Sequence, residues 1–309
     1  MNINIMNQII ILTLMMMVGV ILRKTKIITD EVNKGFSNIL INVTMPCMII
    51  YSFNFKFSID MLKSASMILF YSIVIHIILI ILSKLLYSKF EGSKKNVFIF
   101  ATVFSNCGFV GYPVIQGIFG NIGVFYTSIY TIPFNIFMWS YGVMLFTGKS
   151  DLKSIKKNLI NIPLICTLLG IIIFLFSIKL PSPLLKTLGS IGNMTTPLSM
   201  FIVGSMLADV KLKDVFRGLD IYYVNFIKLI IAPLLTYFVL NLLGANKTLL
   251  YICVILVAMP TASLIAVLAE KYNGDKLTAS KCAFLTTILS IITIPIIMSI
   301  IDLLTKFKL

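Results

Sequence analysis

Two short stretches, each inside a long apolar run, combine residues that interrupt helices with residues that form hydrogen bonds. The first reads Asn106-Cys-Gly-Phe-Val-Gly-Tyr-Pro113, and the second reads Ala258-Met-Pro-Thr-Ala-Ser263. Because proline lacks an N–H and clashes with the preceding turn, the first stretch predicts a broken helix, whereas Pro260 fits a break and a plain kink equally well. A half-helix that begins inside a membrane presents free N–H groups and partial positive charge, which suit a carboxylate. These stretches therefore predict non-covalent anion binding.

Polar residues in two other apolar runs extend the candidate site. Asn42-Val-Thr-Met-Pro46 and Asn193-Met-Thr-Thr-Pro197 share the pattern N-x-T-x-P. Their side chains predict either the lining of a cavity or inter-helix hydrogen bonds of about 0.6 kcal/mol each. The complete set of candidate substrate-binding residues is Asn106, Gly108, Gly111, Pro113, Pro260, Thr261, Asn42, Asn193, Thr195 and Lys228.

Two isolated titratable residues lie within apolar runs. Placing the charged side chain of Lys228 inside a membrane span costs about 2–3 kcal/mol, unless it pairs with an anion or snorkels to the membrane surface. It therefore predicts either a contact with an anionic substrate or a side chain that extends to the cytosolic face. His76, the only histidine, lies in the run YSIVIHIILI. We predict a neutral imidazole bonded to a neighbouring carbonyl, because a proton relay would need a second titratable partner.

The positions of the acidic residues restrict the ion chemistry. All eleven lie in connections or at the ends of apolar runs, whereas exchange of a buried cation needs a negative titratable group in the membrane. Cation antiport is therefore disfavoured, and sodium coupling through neutral oxygens stays open. The sequence also contains no nucleophile with a neighbouring base, no ATP-binding motif and no metal-like cluster. We accordingly predict a protein that is not an enzyme, with no catalytic residues, no metal and no cofactor.

The elements that must position these residues are membrane-spanning helices. The 309-residue chain is 59% hydrophobic and 12% charged, against about half and about a quarter in soluble domains. The net charge of +15 is scattered between apolar runs, which indicates loops beside a lipid bilayer and not a nucleic-acid surface. Because a span needs roughly 20 apolar residues, we predict ten spans, at residues 5–22, 36–53, 65–86, 96–119, 122–146, 159–178, 184–208, 221–243, 248–269 and 277–301.

The basic residues predict the orientation of the spans. Most of the 26 Lys and Arg residues follow odd-numbered spans. Since cytoplasmic loops carry an excess of these residues, both termini are predicted to lie outside the cell membrane.

Matching motifs predict an internal repeat. Asn42 and Asn193 begin the two N-x-T-x-P patterns, and the pair Asn121 and Ser128 recurs as Asn273 and Ser280 at a nearly equal separation. The chain therefore divides into two five-span repeats, residues 1–146 and 159–309, joined by a short basic cytosolic connection at 147–158. Because five is odd, the second repeat must be inverted, which is typical of transporters whose substrate site lies at the repeat interface.

The motifs resemble those of the auxin efflux carrier family (AEC), which includes plant PIN-type carriers and bacterial malate or malonate carriers. The resemblance rests on Asn106-Cys-Gly-Phe-Val-Gly-Tyr-Pro113 and on Met259-Pro-Thr-Ala with Ala269-Glu-Lys-Tyr-Asn273. It implies an all-α membrane protein in which broken spans 4 and 9 cross, as in the bile-acid symporter and sodium-proton antiporter folds. It also implies a scaffold of spans 1, 2, 6 and 7 and a transport domain of spans 3–5 and 8–10. By resemblance, Asn106 contacts a carboxylate, and Pro113 and Pro260 mark the crossover.

The function predicted from this resemblance is secondary transport. The expected substrate is a small organic anion with a carboxylate, moved by an elevator-type alternating-access mechanism. The alternative is a sodium-coupled organic anion symporter of the bile-acid type. The long cytosolic loop of the plant carriers is replaced here by Thr147–Asn158, so neither their regulation nor auxin itself carries over. A homodimer is left open.

Overall fold

The computed structural model describes residues 2–148, 160–209 and 218–306, and these residues are helical apart from short connections. Over these ranges there is no β-strand, only a single β-bridge between Ser105 and Thr261. The predicted basic connection lies outside the described residues except at its first two positions.

The α-helices are numbered in chain order, and four short π-helical turns interrupt or extend them. The helices are α1 (Asn2–Lys24), α2 (Asp30–Ile39), α3 (Met45–Ser52), α4 (Ile59–Leu86), α5 (Gly92–Val103), α6 (Tyr112–Phe137), α7 (Val143–Thr147), α8 (Ile162–Leu175), α9 (Ser182–Asn193), α10 (Thr195–Ala208), α11 (Leu219–Phe226), α12 (Ala232–Leu242), α13 (Lys247–Ala258), α14 (Leu264–Lys271) and α15 (Lys276–Lys306). The π-helical turns cover Leu40–Thr44, Cys107–Gly111, Met138–Gly142 and Ile227–Ile231.

The described part of the chain contains seven helical segments that are long and apolar enough to span a membrane. Ile162–Leu175 and Lys247–Ala258 are shorter apolar helices. Helices occupy part of each of the ten predicted ranges, and the 41-residue segment Cys107–Thr147 is divided by Gly120, whose φ of 62° breaks the helix. This break lies at the predicted boundary between the ranges 96–119 and 122–146, whereas ten membrane crossings stay a prediction.

Both stretches adjoin a helix interruption in the structure, but the first interruption, at residues 104–106, lies at the start of the 106–113 stretch, whose other residues are helical. Helix α5 ends at Val103, and a new helical segment begins at Cys107. Helix α13 ends at Ala258, and α14 begins only at Leu264, so Pro260 lies in a break and not in a kink.

The helices pack mainly within two groups. In the first group, α1 lies along α10, and α3 packs against α8 and α9. In the second, α4 packs against α6, α12 against α13, and α15 against α5 and α14. Helix α6 also contacts α1, α3 and α8, so it forms much of the boundary between the groups.

Glycines allow α1 and α10 to approach closely. A Cβ atom on Gly204 would lie 2.0 Å from the carbonyl oxygen of Met16, and one on Gly19 would lie 2.6 Å from that of Phe201. Small residues let helix backbones approach in this way in membranes, where packing contributes strongly to helix association.

Gly204→Ala is therefore expected to separate α1 from α10 and destabilise the protein. Overpacking costs about 1–3 kcal/mol, which corresponds to a fall in Tm of about 3–10 °C for a chain of this size. Thermal unfolding of the detergent-purified protein measures the effect. Gly35→Ala is the matched control, because a Cβ atom at Gly35 meets nothing within 4 Å. Equal Tm values for the two variants would contradict this account of the contact.

Candidate functional site

The two helix interruptions meet in the interior of the protein. The Asn106 backbone N–H donates to the Pro260 carbonyl oxygen at 2.7 Å, and the Ala262 N–H donates to the Phe104 carbonyl oxygen at 2.9 Å. Together with the bridge between Ser105 and Thr261, these bonds make a short antiparallel pairing. Irregular backbone at this depth is tolerated only where its polar groups find partners in the protein or line a cavity. The pairing supplies those partners and holds the two interruptions together.

Asn106 organises the beginning of the helical segment that follows the first break. Its Oδ1 accepts a hydrogen bond from the Phe109 N–H at 3.1 Å, as an N-cap residue does. Its Nδ2 donates to Ser263 Oγ at 3.0 Å, across the joint. One side chain therefore caps the first half-helix and connects it to the residue before α14.

A cavity of about 280 Å³ opens at this joint. Helices α3, α6, α8 and α14, three of the π-helical turns (all except Ile227–Ile231) and the two breaks contribute to its walls. Its described lining includes three amides and several aromatic or apolar side chains, and none of these residues is charged. They are Ile41, Met45, Ser105, Asn106, Cys107, Gly108, Phe109, Tyr112, Thr131, Phe134, Asn135, Met138, Trp139, Asn161, Pro163, Leu164, Ala262, Ser263 and Leu264.

Three backbone N–H groups at the two half-helix N-termini have no hydrogen-bond acceptor among the described residues. The N–H groups of Gly108, Ser263 and Leu264 have no hydrogen-bond acceptor there, and all three residues line the cavity. Helix N-termini carry about +0.5 of an elementary charge each. The cavity is therefore electropositive through backbone groups alone, which is the electrostatic condition for holding an anion.

Lys228 lies directly behind the cavity and not in it. The side chain is 0% exposed, and its Nζ lies 2.6 Å from Ser105 Oγ, 3.1 Å from the Val257 carbonyl oxygen and 3.3 Å from the Thr102 carbonyl oxygen. Its Nζ contacts protein oxygens and does not reach an aqueous surface, so the side chain does not extend to the cytosolic face, whereas a contact with an anionic substrate stays a prediction. Ser105 separates it from the cavity.

His76 has the environment predicted for it. Its Nδ1 lies 2.6 Å from the Ser72 carbonyl oxygen, and because a carbonyl only accepts, the proton is on Nδ1. The ring stacks on Phe137 with an interplanar angle of 6° and lies against Tyr130 and Phe134. This histidine packs in an aromatic cluster of the core.

The other predicted residues differ in burial, and most of them do not line the cavity. Gly111 and Pro113 are buried at the start of the segment that follows the first break, and Thr261 donates to the Ala101 carbonyl oxygen at 2.9 Å. Thr195 is buried, whereas Asn42 and Asn193 are exposed, and none of the three lines the cavity. Of the predicted residues, only Asn106 and Gly108 line it.

Several lining residues were not selected from the sequence. Asn135 and Trp139 come from the region around the π-helical turn Met138–Gly142, and Ser105 and Ser263 flank the two breaks. The two serines could have been recognised in the sequence, because they adjoin the interrupting residues. Nothing in the sequence marks Asn135 and Trp139 as cavity residues, since their place in the cavity wall depends on how α6 packs.

The described residues contain no group of three or more His, Cys, Asp or Glu side chains that could hold a metal ion. The polar groups around the cavity are instead amides, hydroxyls and backbone N–H groups. Donors of this kind can bind and orient an anion.

Comparison with known proteins agrees with this reading. The sequence matches the family described as membrane transport protein in two segments, residues 4–158 and 147–298. It is 28% identical over 304 residues to an "Uncharacterized transporter" of Methanocaldococcus jannaschii, covering 94% of this chain and 96% of the relative. A transporter of Methanothermobacter thermautotrophicus is 28% identical over 297 residues, covering 91% of this chain and 93% of the relative.

A third relative bears a more specific name. It is a "Putative malonate transporter" of Rhizobium meliloti, 29% identical over 132 residues, which cover 42% of this chain and 41% of the relative. The family match and the two relatives matched over more than nine tenths of this chain indicate a membrane transporter. The chain belongs to the membrane transport protein family, that of the auxin efflux carriers which its interrupted-helix motifs resemble.

Proposed function

We propose that this protein is a secondary transporter that moves a small organic anion across the cell membrane, and that it recognises the carboxylate of that anion. The observation that carries the proposal is the meeting of two half-helix N-termini at one cavity. Their unused N–H groups at Gly108, Ser263 and Leu264, with the Asn106 amide, are suited to carboxylate oxygens. The apolar and aromatic walls suit the rest of a small organic molecule.

Alternating access is the proposed mechanism. The cavity takes Ile41 and Met45 from the first helix group, and Pro163 and Leu164 from α8 of the same group, while the joint belongs to the second group. A cavity between two packing groups can be exposed to each side in turn when one group moves against the other. We assign the first group, spans 1, 2, 6 and 7, as the scaffold, and the second as a transport domain that moves like an elevator.

The same proposal includes the arrangement in the membrane. Ten spans form two inverted five-helix repeats, broken spans 4 and 9 cross at the joint, and both termini lie outside. The pairing between residues 104–106 and 260–262 supports the crossover. The name of the Rhizobium relative supports an organic anion as substrate. A homodimer stays an untested prediction.

Uptake and binding measurements on the full-length protein test the proposal. Malonate, malate and monocarboxylates are assayed for uptake into proteoliposomes and for thermal stabilisation of the purified protein, with malonamide as the uncharged control. At least one carboxylate is expected to raise Tm and to accumulate, and the amide is expected to do neither. A panel without effect, or an amide as effective as its acid, would overturn the proposal. Uptake that requires a sodium gradient would favour the sodium-coupled alternative.

A further inference from the structure

The carbonyl ends of two half-helices converge on the side of the joint away from the cavity. Helices α5 and α13 both end there, and the last carbonyls of a helix have no partner within the helix itself. Thr261 Oγ1 donates to the Ala101 carbonyl oxygen, and Ser105 Oγ donates to the Val257 carbonyl oxygen at 3.2 Å. The remaining contacts to Thr102 and Val257 come from Lys228.

The three oxygen atoms around Lys228 Nζ match the three N–H groups of its charged form. The carbonyl oxygens of Thr102 and Val257 can only accept. Ser105 Oγ uses its own proton on the Val257 carbonyl, so it too accepts from Nζ. An ammonium has one N–H group for each of these three oxygens, whereas a neutral amine has two N–H groups and a lone pair.

The charges at this point balance. Each helix C-terminus carries about −0.5 of an elementary charge, so the ends of α5 and α13 together amount to about −1. No carboxylate of the described residues lies within salt-bridge distance of Lys228. The Nζ of Lys228 is the basic group that lies against these two ends.

We propose that Lys228 is a built-in counter-cation: its ammonium takes the place, behind the substrate cavity, where a mobile monovalent cation would otherwise be bound. In transporters with interrupted helices, the C-terminal ends of half-helices and unwound carbonyls commonly coordinate sodium ions or protons. Here a carbonyl from each half-helix end and one hydroxyl surround Nζ. These are the neutral oxygen ligands that an alkali cation also uses.

The consequence for transport rests on the proposed function. Ser105 contacts Lys228 through its hydroxyl and also lines the cavity, so the ammonium holds the joint in the geometry that presents the half-helix N-termini. Lys228 is thus a positioning residue. Because its cation is covalently attached, anion transport is expected to proceed without a sodium gradient.

The test removes the tethered cation and offers free ones. Lys228→Ala is expected to lower Tm by about 5–10 °C, because buried acceptors lose their donors. At constant ionic strength, n-propylammonium, which replaces the deleted atoms, and sodium are each expected to raise the Tm of this variant in a saturable way. Tetramethylammonium, which has no N–H, is expected to have no effect. Wild-type protein is expected to have the same Tm in sodium and in tetramethylammonium chloride.

Lys228→Met is the matched control, because methionine fills most of the space and offers no N–H group. We expect it to be destabilised and to respond to neither cation. A saturable sodium response of the wild type would overturn the proposal, and so would a folded Lys228→Ala variant that neither cation stabilises. If that variant does not fold, the wild-type comparison still decides. These measurements use no substrate, so they remain interpretable if the carboxylate panel gives no signal.

Discussion

Asn106→Asp is expected to abolish binding and uptake of the organic anion while the fold is retained. Aspartate has the shape of asparagine, and its carboxylate can still accept from the Phe109 N–H and from the Ser263 hydroxyl, so the cap and the link across the joint persist. What changes is the charge at the cavity wall. Two like charges about 4 Å apart repel by roughly 4 kcal/mol at an effective dielectric constant near 20, which corresponds to a loss of affinity of about a thousandfold.

Equilibrium binding of a carboxylate identified by the panel measures this loss, and Tm monitors the fold. Asn121→Asp is the matched control, because Asn121 is exposed beside the Gly120 turn and does not line the cavity. It introduces the same charge outside the cavity and is expected to leave binding unchanged. Undiminished affinity in Asn106→Asp would show that the anion binds elsewhere.

Gly108→Leu is expected to stop uptake by filling the cavity. A Cβ atom at Gly108 would meet only Met45 Cε, at 3.8 Å, which is ordinary van der Waals contact. Its φ is not positive, so a side chain is compatible with the backbone. A leucine would therefore fold in place and occupy part of a cavity of about 280 Å³. We expect the leucine to remove at least about 1.4 kcal/mol of binding free energy, because it excludes the ligand from part of the cavity. This corresponds to a reduction of uptake, at low substrate concentration, of roughly tenfold or more.

The measurement is initial uptake at several substrate concentrations, with Gly108→Ala as an intermediate in size. Gly35→Leu controls for the added hydrophobic side chain, because Gly35 lies away from the cavity and a Cβ atom there has no neighbour within 4 Å. Reductions that follow side-chain volume at position 108 would support the assigned cavity. Normal uptake by a stable Gly108→Leu variant would contradict it.

The interrupted stretches predicted residues of the cavity wall, whereas the two N-x-T-x-P motifs did not. The interrupted stretches placed Asn106 and Gly108 on the cavity wall, because proline and glycine disturb the backbone wherever they occur. The motifs at Asn42 and Asn193 predicted polar side chains inside the membrane but not the direction in which they point. In the structure both asparagines are exposed and do not line the cavity, and their part in transport stays a prediction.

By itself, the sequence determined that this is an integral membrane protein with a broken helix at the stretch beginning with Asn106, a boundary between two apolar runs at residues 119–122 and a histidine bonded to a neighbouring carbonyl, while it left a break and a kink equally open at Pro260. Composition, proline, glycine and isolated polar residues act locally, so their consequences can be predicted from neighbours along the chain. Only the tertiary structure decided that the two interruptions pair, and that Lys228 contacts residues 29, 123 and 126 positions away. Such contacts depend on how whole helices pack, because the packing determines which hydrogen-bond acceptors lie within reach of a buried lysine side chain.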